Sequence, residues 1–326
     1  MKTTTDPASK RTPQTSEEDA LEALNALDPS ADRAVQNAVV QKHLEDRHSR
    51  VVAKAARLAE ERALHERVPD LLKAWPRFSV DPVKRDPKCK ARQAIARALV
   101  ALDCQNQDFF LQGIRCRQLE PVWGGSEDAA IDIRCSCAMG LVASGHPRAI
   151  PELTELLNDP EWRARAGAAR AISCGNPGEA EALLRFKVRI GDHEPEVIGE
   201  CFTGLLAIAP EECLALVANH MTDANDGIRD FAALALGESR HPRALDQLRA
   251  AWDSEVLNTE FRSVLIRAAA LHRSEAAFDW LIQIIERGTR KQADEAAEAL
   301  AVYERNTRLT ERVRAALARR ADDDSR

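Results

Sequence analysis

Apolar positions along this chain recur with a period near 3.6 residues rather than two, and one nine-residue signature returns again and again from Val51 onward. It reads VVAKAARLA from Val51, ARQAIARAL from Ala91, IRCSCAMGL from Ile133 and ARAGAARAI from Ala164. It continues as VIGECFTGL from Val197, IRDFAALAL from Ile228, FRSVLIRAA from Phe261 and QADEAAEAL from Gln292. Successive copies begin 40, 42, 31, 33, 31, 33 and 31 residues apart. Recurrence at this interval marks supersecondary units that cannot bury their apolar face alone and must stack on neighbours. Within a copy the apolar residues fall at i, i+4, i+7 and i+8, as in Ile228, Ala232, Ala235 and Leu236, which makes one buried stripe on a helix.

A second helix precedes each signature. In the clearest unit, HPRAIPELTELLND (146–159) forms the first helix, Pro160 restarts the chain, and EWRARAGAARAIS (161–173) forms the second. RHPRALDQLRAAW followed by NTEFRSVLIRAAALH repeats that pattern. Upstream, SEEDALEALNALD and RAVQNAVVQKHLED supply a weaker capping pair, and LTERVRAALARR closes the far end with enough charge to face water. The expected fold is all-α: an α-solenoid of stacked antiparallel helix pairs, about eight or nine of them, forming one unit over residues 17–320. Residues 1–16, rich in Thr, Ser, Pro and Lys, and the acidic end 321–326 are expected to be disordered tails.

Composition agrees with close helix packing. Aromatics are 4% of residues and Tyr303 is the single tyrosine, whereas strands favour aromatic and β-branched side chains. A formal net charge of −6 argues against a general binder of polyanions, so nucleic acid is a disfavoured partner. No apolar run approaches the roughly 18 to 20 residues that span a bilayer, and the first residues lack the apolar core of a signal peptide. The expectation is a cytoplasmic protein with no membrane partner. Two intervals are long because of insertions: PRFSVDPVKRDPK (76–88), with three prolines, and EPVWGGSEDAAI (120–131), with Trp123 beside Gly124 and Gly125. Inserted loops often carry function, which makes Trp123 a candidate contact; the plainer expectation is that this loop folds back and buries Trp123 against the stack.

The unit HPRAIPELTELLNDPEWRARAGAARAI, together with AALALG after IRDF, resembles the HEAT repeat in its short bacterial form, also found in phycobilisome lyase-like proteins. The likeness runs over about residues 40–305. It implies that the signature helices line a concave face where partners dock. It leaves activity open, since the same repeat serves scaffolds, transport receptors, bilin lyases, a metal hydroxylase and DNA-repair proteins. The hydroxylase branch of that family carries His-Glu pairs at the third and fourth signature positions to hold two irons. Here those positions read Gln93-Ala94, Cys135-Ser136, Ala166-Gly167, Gly199-Glu200, Asp230-Phe231 and Ser263-Val264, so no such site is expected.

Other candidate chemistry is sparse. His146 and His241 begin twin HPRA motifs three repeats apart, too far to share an ion, and read as turn and cap residues. Cys135 and Cys137 lie about 200° apart around a helix and cannot chelate together. Cys137 and Cys201 stand at the fifth signature position, where other repeats have alanine, and read as small core residues. No phosphate loop or nucleophile elbow follows a strand, because no segment reads convincingly as a strand. The chain is expected to have no catalytic residues, no metal and no cofactor, and small molecules are disfavoured partners.

Two recurrences remain. Arg92, Arg134, Arg165, Arg229 and Arg262 hold the second signature position, either as a basic ladder for phosphates or, more in keeping with the acidic residues just before those helices, as an internal structural ladder. The seventh position lies about 240° from the buried first. It reads Arg57, Arg97, Met139, Arg170, Thr203, Leu234, Arg267 and Glu298, and Arg97, Met139, Arg170, Thr203, Leu234 and Arg267 form the candidate partner-binding groove. Arginine and exposed apolar residues are enriched at docking surfaces. The reading is a non-enzymatic scaffold for a protein or acidic peptide segment. The alternatives are an accessory subunit of a bilin lyase or other enzyme, and nucleic-acid binding of the alkylation-repair type, whose local support is the basic segment Lys84 to Arg97.

Overall fold

In a computed structural model, which describes residues 13–254 and 259–324, the periodic segments are helical. The contacts divide the chain into two compact units, Met1–Ala171 and Ile172–Arg326, where the repeat pattern reads as one. The first unit holds α1 (Pro13–Asn25), α2 (Arg33–Leu44), α3 (Ser49–Glu61), α4 (Val68–Ala74), α5 (Pro82–Arg85), α6 (Lys90–Ala101) and α7 (Gln107–Gly113). After a hairpin of β1 (Leu119–Val122) and β2 (Gly125–Asp128) come α8 (Ile131–Ala143), α9 (Ala149–Leu156) and α10 (Trp162–Ser173), in which the division falls. The second unit holds α11 (Pro177–Ile190), α12 (Pro195–Ile208), α13 (Pro210–Asn219), α14 (Asp226–Ser239), α15 (Pro242–Trp252), α16 (Thr259–His272), α17 (Glu275–Arg287), α18 (Arg290–Ala301) and α19 (Thr307–Asp324).

All eight signatures are helices, namely α3, α6, α8, α10, α12, α14, α16 and α18. In the first unit α3 packs on α6 and α6 on α8; in the second α12 packs on α14, α14 on α16 and α16 on α18. The partner helices lie against them: α2 on α3, α7 on α8, α11 on α12, α13 on α14, α15 on α16 and α17 on α18. The fifth signature position is buried in every copy, from Ala55 and Ile95 to Leu265 and Ala296, and the ninth likewise, from Ala59 to Leu300. Each buried Leu or Ile there contributes about 1.5–3 kcal/mol, and the alanines let the helices approach closely. The closest approach is at Gly237 of α14, where a Cβ would lie 2.1 Å from the carbonyl oxygen of Ala268 on α16.

Helix starts follow local chemistry. Asp32, Asn106, Asn176, Asn225 and Ser274 accept hydrogen bonds from first-turn amides, and Thr289 and Gln292 form a reciprocal capping box. Pro177, Pro195, Pro210 and Pro242 take first helical positions, where no amide donor is needed.

Residues 13–16 fall within α1 and residues 321–324 within α19, which packs on α17 and α18; residues 1–12 and 325–326, in the expected tails, lie outside the described residues. One expectation needs correcting. The second insertion does form strands. β1 and β2 pair antiparallel in the register Leu119 to Asp128 and Val122 to Gly125, joined by Trp123-Gly124, with Gly124 at φ 92° where a side chain would be strained.

Candidate functional site

The hairpin stands on a buried ionic base. Arg134, in the first turn of α8 and 0% exposed, lies 2.6 Å from Asp128 at the end of β2 and 3.1 Å from Asp159. Its Nη1 also donates to the Cys116 carbonyl at 2.9 Å. Arg117 reaches the same two carboxylates, at 3.4 Å and 2.7 Å. Asp128 further accepts from the amides of Gln118 and Ala130 at 3.1 and 2.9 Å. Burial pushes its carboxyl up, but those amides and Arg134 outweigh burial and hold its pKa below the usual aspartate value.

One repeat earlier the arrangement recurs. Arg92, in the first turn of α6, pairs with buried Asp86 at 3.2 Å and donates to Gln118. Gln118 in turn donates to the Asp86 carbonyl at 3.0 Å, and the Lys88 amide donates to Glu120 of β1. The two insertions, far apart in sequence, are therefore bonded to each other.

The other second-position arginines take different partners. Arg165 donates to the carbonyls of Asp159 and Pro160 at 2.8 and 3.0 Å. Arg229 pairs with Asp226 and covers the Phe261 ring at 5.7 Å, and Arg262 covers the Trp252 ring at 5.5 Å. All five thus point into joints between helices rather than presenting a row of free guanidinium groups.

The seventh positions gather into two clefts. In the first unit Arg57, Gln93, Arg97, Asp132 and Cys135 line a cleft of about 280 Å³. Arg97 pairs with Glu60 at 2.9 Å. Burial and nearby Asp132 push the Cys135 thiol up to about 11, so it is no nucleophile near neutrality. In the second unit Leu234, Arg267 and Glu298, from α14, α16 and α18, line a cleft of about 700 Å³ with Ile266, Ala270 and Val302. Val302 is 80% exposed, and Tyr303, also in the lining, donates to the Ala270 carbonyl at 2.8 Å. The lining mixes apolar side chains with both signs of charge, Arg267 and Arg273 alongside Glu295 and Glu298. Met139, Arg170 and Thr203 line neither cleft. Met139 and Leu234 are half-buried, not exposed, because neighbouring signature helices cover part of the seventh-position face.

Trp123 is not buried against the stack. It is 104% exposed at the hairpin tip, because the polar network holds the base of the hairpin and nothing covers its end. His146 accepts the Arg148 amide at 3.1 Å, and His241 faces Glu211 at 2.8 Å, so the two histidines serve separate turns. Among the described residues no group of three or more His, Cys, Asp or Glu is placed to hold a metal ion, and no helix is long and apolar enough to cross a membrane.

Stacked pairs of antiparallel helices, repeated with a common buried stripe, define an all-α repeat protein. Two stretches match HEAT-repeat families: the HEAT repeats profile matches residues 125–186 and the PBS lyase HEAT-like repeat profile matches residues 228–252. No curated protein matches. Among solved structures, the complex of CpcE and CpcF of phycocyanin lyase from Nostoc sp. PCC7120 is 16% identical with a TM-score of 0.38, over 70% of this chain and 89% of that one. The Escherichia coli protein YibA is 15% identical with a TM-score of 0.40, over 92% and 99%. Human deoxyhypusine hydroxylase in complex with glycerol is 14% identical with a TM-score of 0.27, over 91% and 92%.

Proposed function

We propose that this chain is a non-enzymatic HEAT-repeat scaffold that holds a segment of a partner protein along the seventh-position face of its signature helices. The observation that carries the reading is the cleft of about 700 Å³, lined by Leu234, Arg267 and Glu298 of three successive signature helices together with apolar Ile266 and Ala270. Its size lies within the roughly 300–1,000 Å³ of sites that enclose a ligand, which supports a role in holding a bound segment. Arg267 and Arg273 favour an acidic residue in the bound segment, beside apolar side chains that seat on Ile266 and Val302.

Photo-crosslinking in the native host tests this. A reactive residue at position 234 or 267 is expected to capture the same partner, and one at exposed Asp246 on α15 is not. Equal capture from all three positions, or loss of no binding on Arg267→Glu, refutes the cleft as the docking site. A second reading, an accessory subunit for an enzyme acting on a bilin, is supported by the PBS lyase HEAT-like repeat match over 228–252. Visible absorbance acquired on incubation with a bilin and the partner would favour it.

A further inference from the structure

The two insertions build one platform whose surface chemistry differs from the rest of the chain. Bonds from Lys88 to Glu120, from Gln118 to Asp86 and from Arg92 to Gln118 lock segment 76–90 against the hairpin. Five large apolar side chains on this platform are exposed: Val80, Val83, Leu119, Val122 and Trp123. Among the described residues only six others in the whole chain are. Beside them Lys84, Arg85, Lys88 and Lys90 are exposed, against the exposed acids Asp81 and Glu127. Glu120 is already engaged by the Lys88 amide and Gln118.

A hairpin of two four-residue strands is marginal by itself, and this one leaves Leu119 64% and Val122 46% exposed. Its shape comes from the buried charges beneath it. Such an arrangement holds Trp123 and its neighbours out in water in a fixed posture.

We propose that this platform is a contact for a phospholipid surface bearing anionic headgroups, with Trp123, Leu119 and Val122 entering the interface and Lys84, Arg85, Lys88 and Lys90 meeting phosphates. Three features favour lipid over other polyanions. Trp123 stands 104% exposed at the hairpin tip, where nothing encloses a base or a peptide side chain against it. Four of its five members are aliphatic, which stacking on nucleobases does not use. Tryptophan is the side chain suited to the headgroup level, with its ring in the apolar zone and its N–H in water. Among the described residues no helix is long and apolar enough to span a membrane, which is compatible with this, since the contact is peripheral.

The test is co-sedimentation of the full chain with vesicles of phosphatidylcholine, with and without phosphatidylglycerol. Partition is expected on the mixed vesicles and to weaken with salt. Trp123→Ala is expected to lower it about tenfold, as loss of one inserted aromatic requires. The pair Lys84→Ala and Lys88→Ala is expected to lower it by roughly tenfold or more. Circular dichroism melting of each variant should match the parent, since none of these side chains is part of the buried base. No partition by the parent, or partition that survives both variants, overturns the proposal. So does Trp123-dependent binding to a single-stranded oligonucleotide with no vesicle binding, which would make the platform a nucleic-acid contact. The cleft in the second unit takes no part, so Arg267→Glu should leave vesicle binding unchanged.

Discussion

Replacing Arg134 with alanine should be among the most damaging single changes in the first unit. The guanidinium is 0% exposed and serves Asp128 and Asp159, which are 3% and 1% exposed. Its loss strands two carboxylates in the interior and leaves the Cys116 carbonyl without its donor. Breaking a buried ion pair from one side costs about 3–5 kcal/mol. Arg117 still reaches both acids, at 3.4 Å and 2.7 Å, and Asp128 keeps two amide donors, which places the expected loss at the lower end, about 3 kcal/mol. For a unit of this size that is roughly 6–12 °C in Tm. The loss should also depend on pH in a defined sense. Asp128 has a depressed folded pKa, so its contribution is complete above the ordinary aspartate value near 3.8 and fades as pH falls through the lower, folded value. Without Arg134 the folded pKa rises, so the variant should begin to lose stability at higher pH than the parent, and the two melting curves should converge in strong acid. Differential scanning calorimetry from neutral pH downward measures both effects. Arg134→Met should fare no better than alanine, because matching the volume does not pair the acids. A loss below about 1 kcal/mol, the level of an exposed pair, would show that Arg117 alone neutralises the site and that the buried base is not what holds the hairpin.

Gly237→Ala should destabilise the second unit by about 1–3 kcal/mol in urea unfolding, since the added methyl meets the Ala268 carbonyl at 2.1 Å and backbone cannot step aside. A neutral result would mean that α14 and α16 are less closely packed. Arg165→Ala should cost about 1–2 kcal/mol, because it removes the donor to the Asp159 and Pro160 carbonyls at 2.8 and 3.0 Å. Of the eight cysteines, Cys174 is exposed, while burial pushes the Cys89 and Cys201 thiols up to about 12. A thiol reagent at neutral pH should therefore titrate about one equivalent fast and reach the buried thiols only on unfolding; rapid reaction of most of the thiols would contradict the packing.

The stacked helices were legible because their signal is repeated. Each copy of the signature buries the same fifth and ninth positions, so a local ambiguity such as half-buried Ile228 is corrected by its counterparts Val51, Ala91 and Val197. The hairpin was not. Its strands expose both faces, so Leu119 to Asp128 show no alternation of apolar and polar residues to distinguish them from a loop, and the cue that remained was the Trp123-Gly124-Gly125 turn. The joining of the two insertions was also invisible, since Asp86, Arg92, Gln118 and Glu120 acquire their relation only when α6 and α8 stack. For the clefts, the seventh-position rule found Arg57 and Arg97 in one and Leu234 and Arg267 in the other. It overstated how open Met139 and Leu234 are, because helical angle fixes direction but not how far a neighbouring helix reaches.

The signatures at Ala91 and Ile133 begin 42 residues apart, yet α6 packs on α8 just as α14 packs on α16, whose signatures begin 33 apart. The stack counts helices and is indifferent to the chain length that links them. A segment spliced between two such helices can therefore change length and composition while the scaffold on either side keeps its register, provided that its two ends meet the buried polar network at Gln118 and Asp128. The joint before α8 works as a socket. In the lineage of such a chain it is where new surface can be tried at little risk to folding, and in the laboratory it is where a foreign hairpin could be grafted.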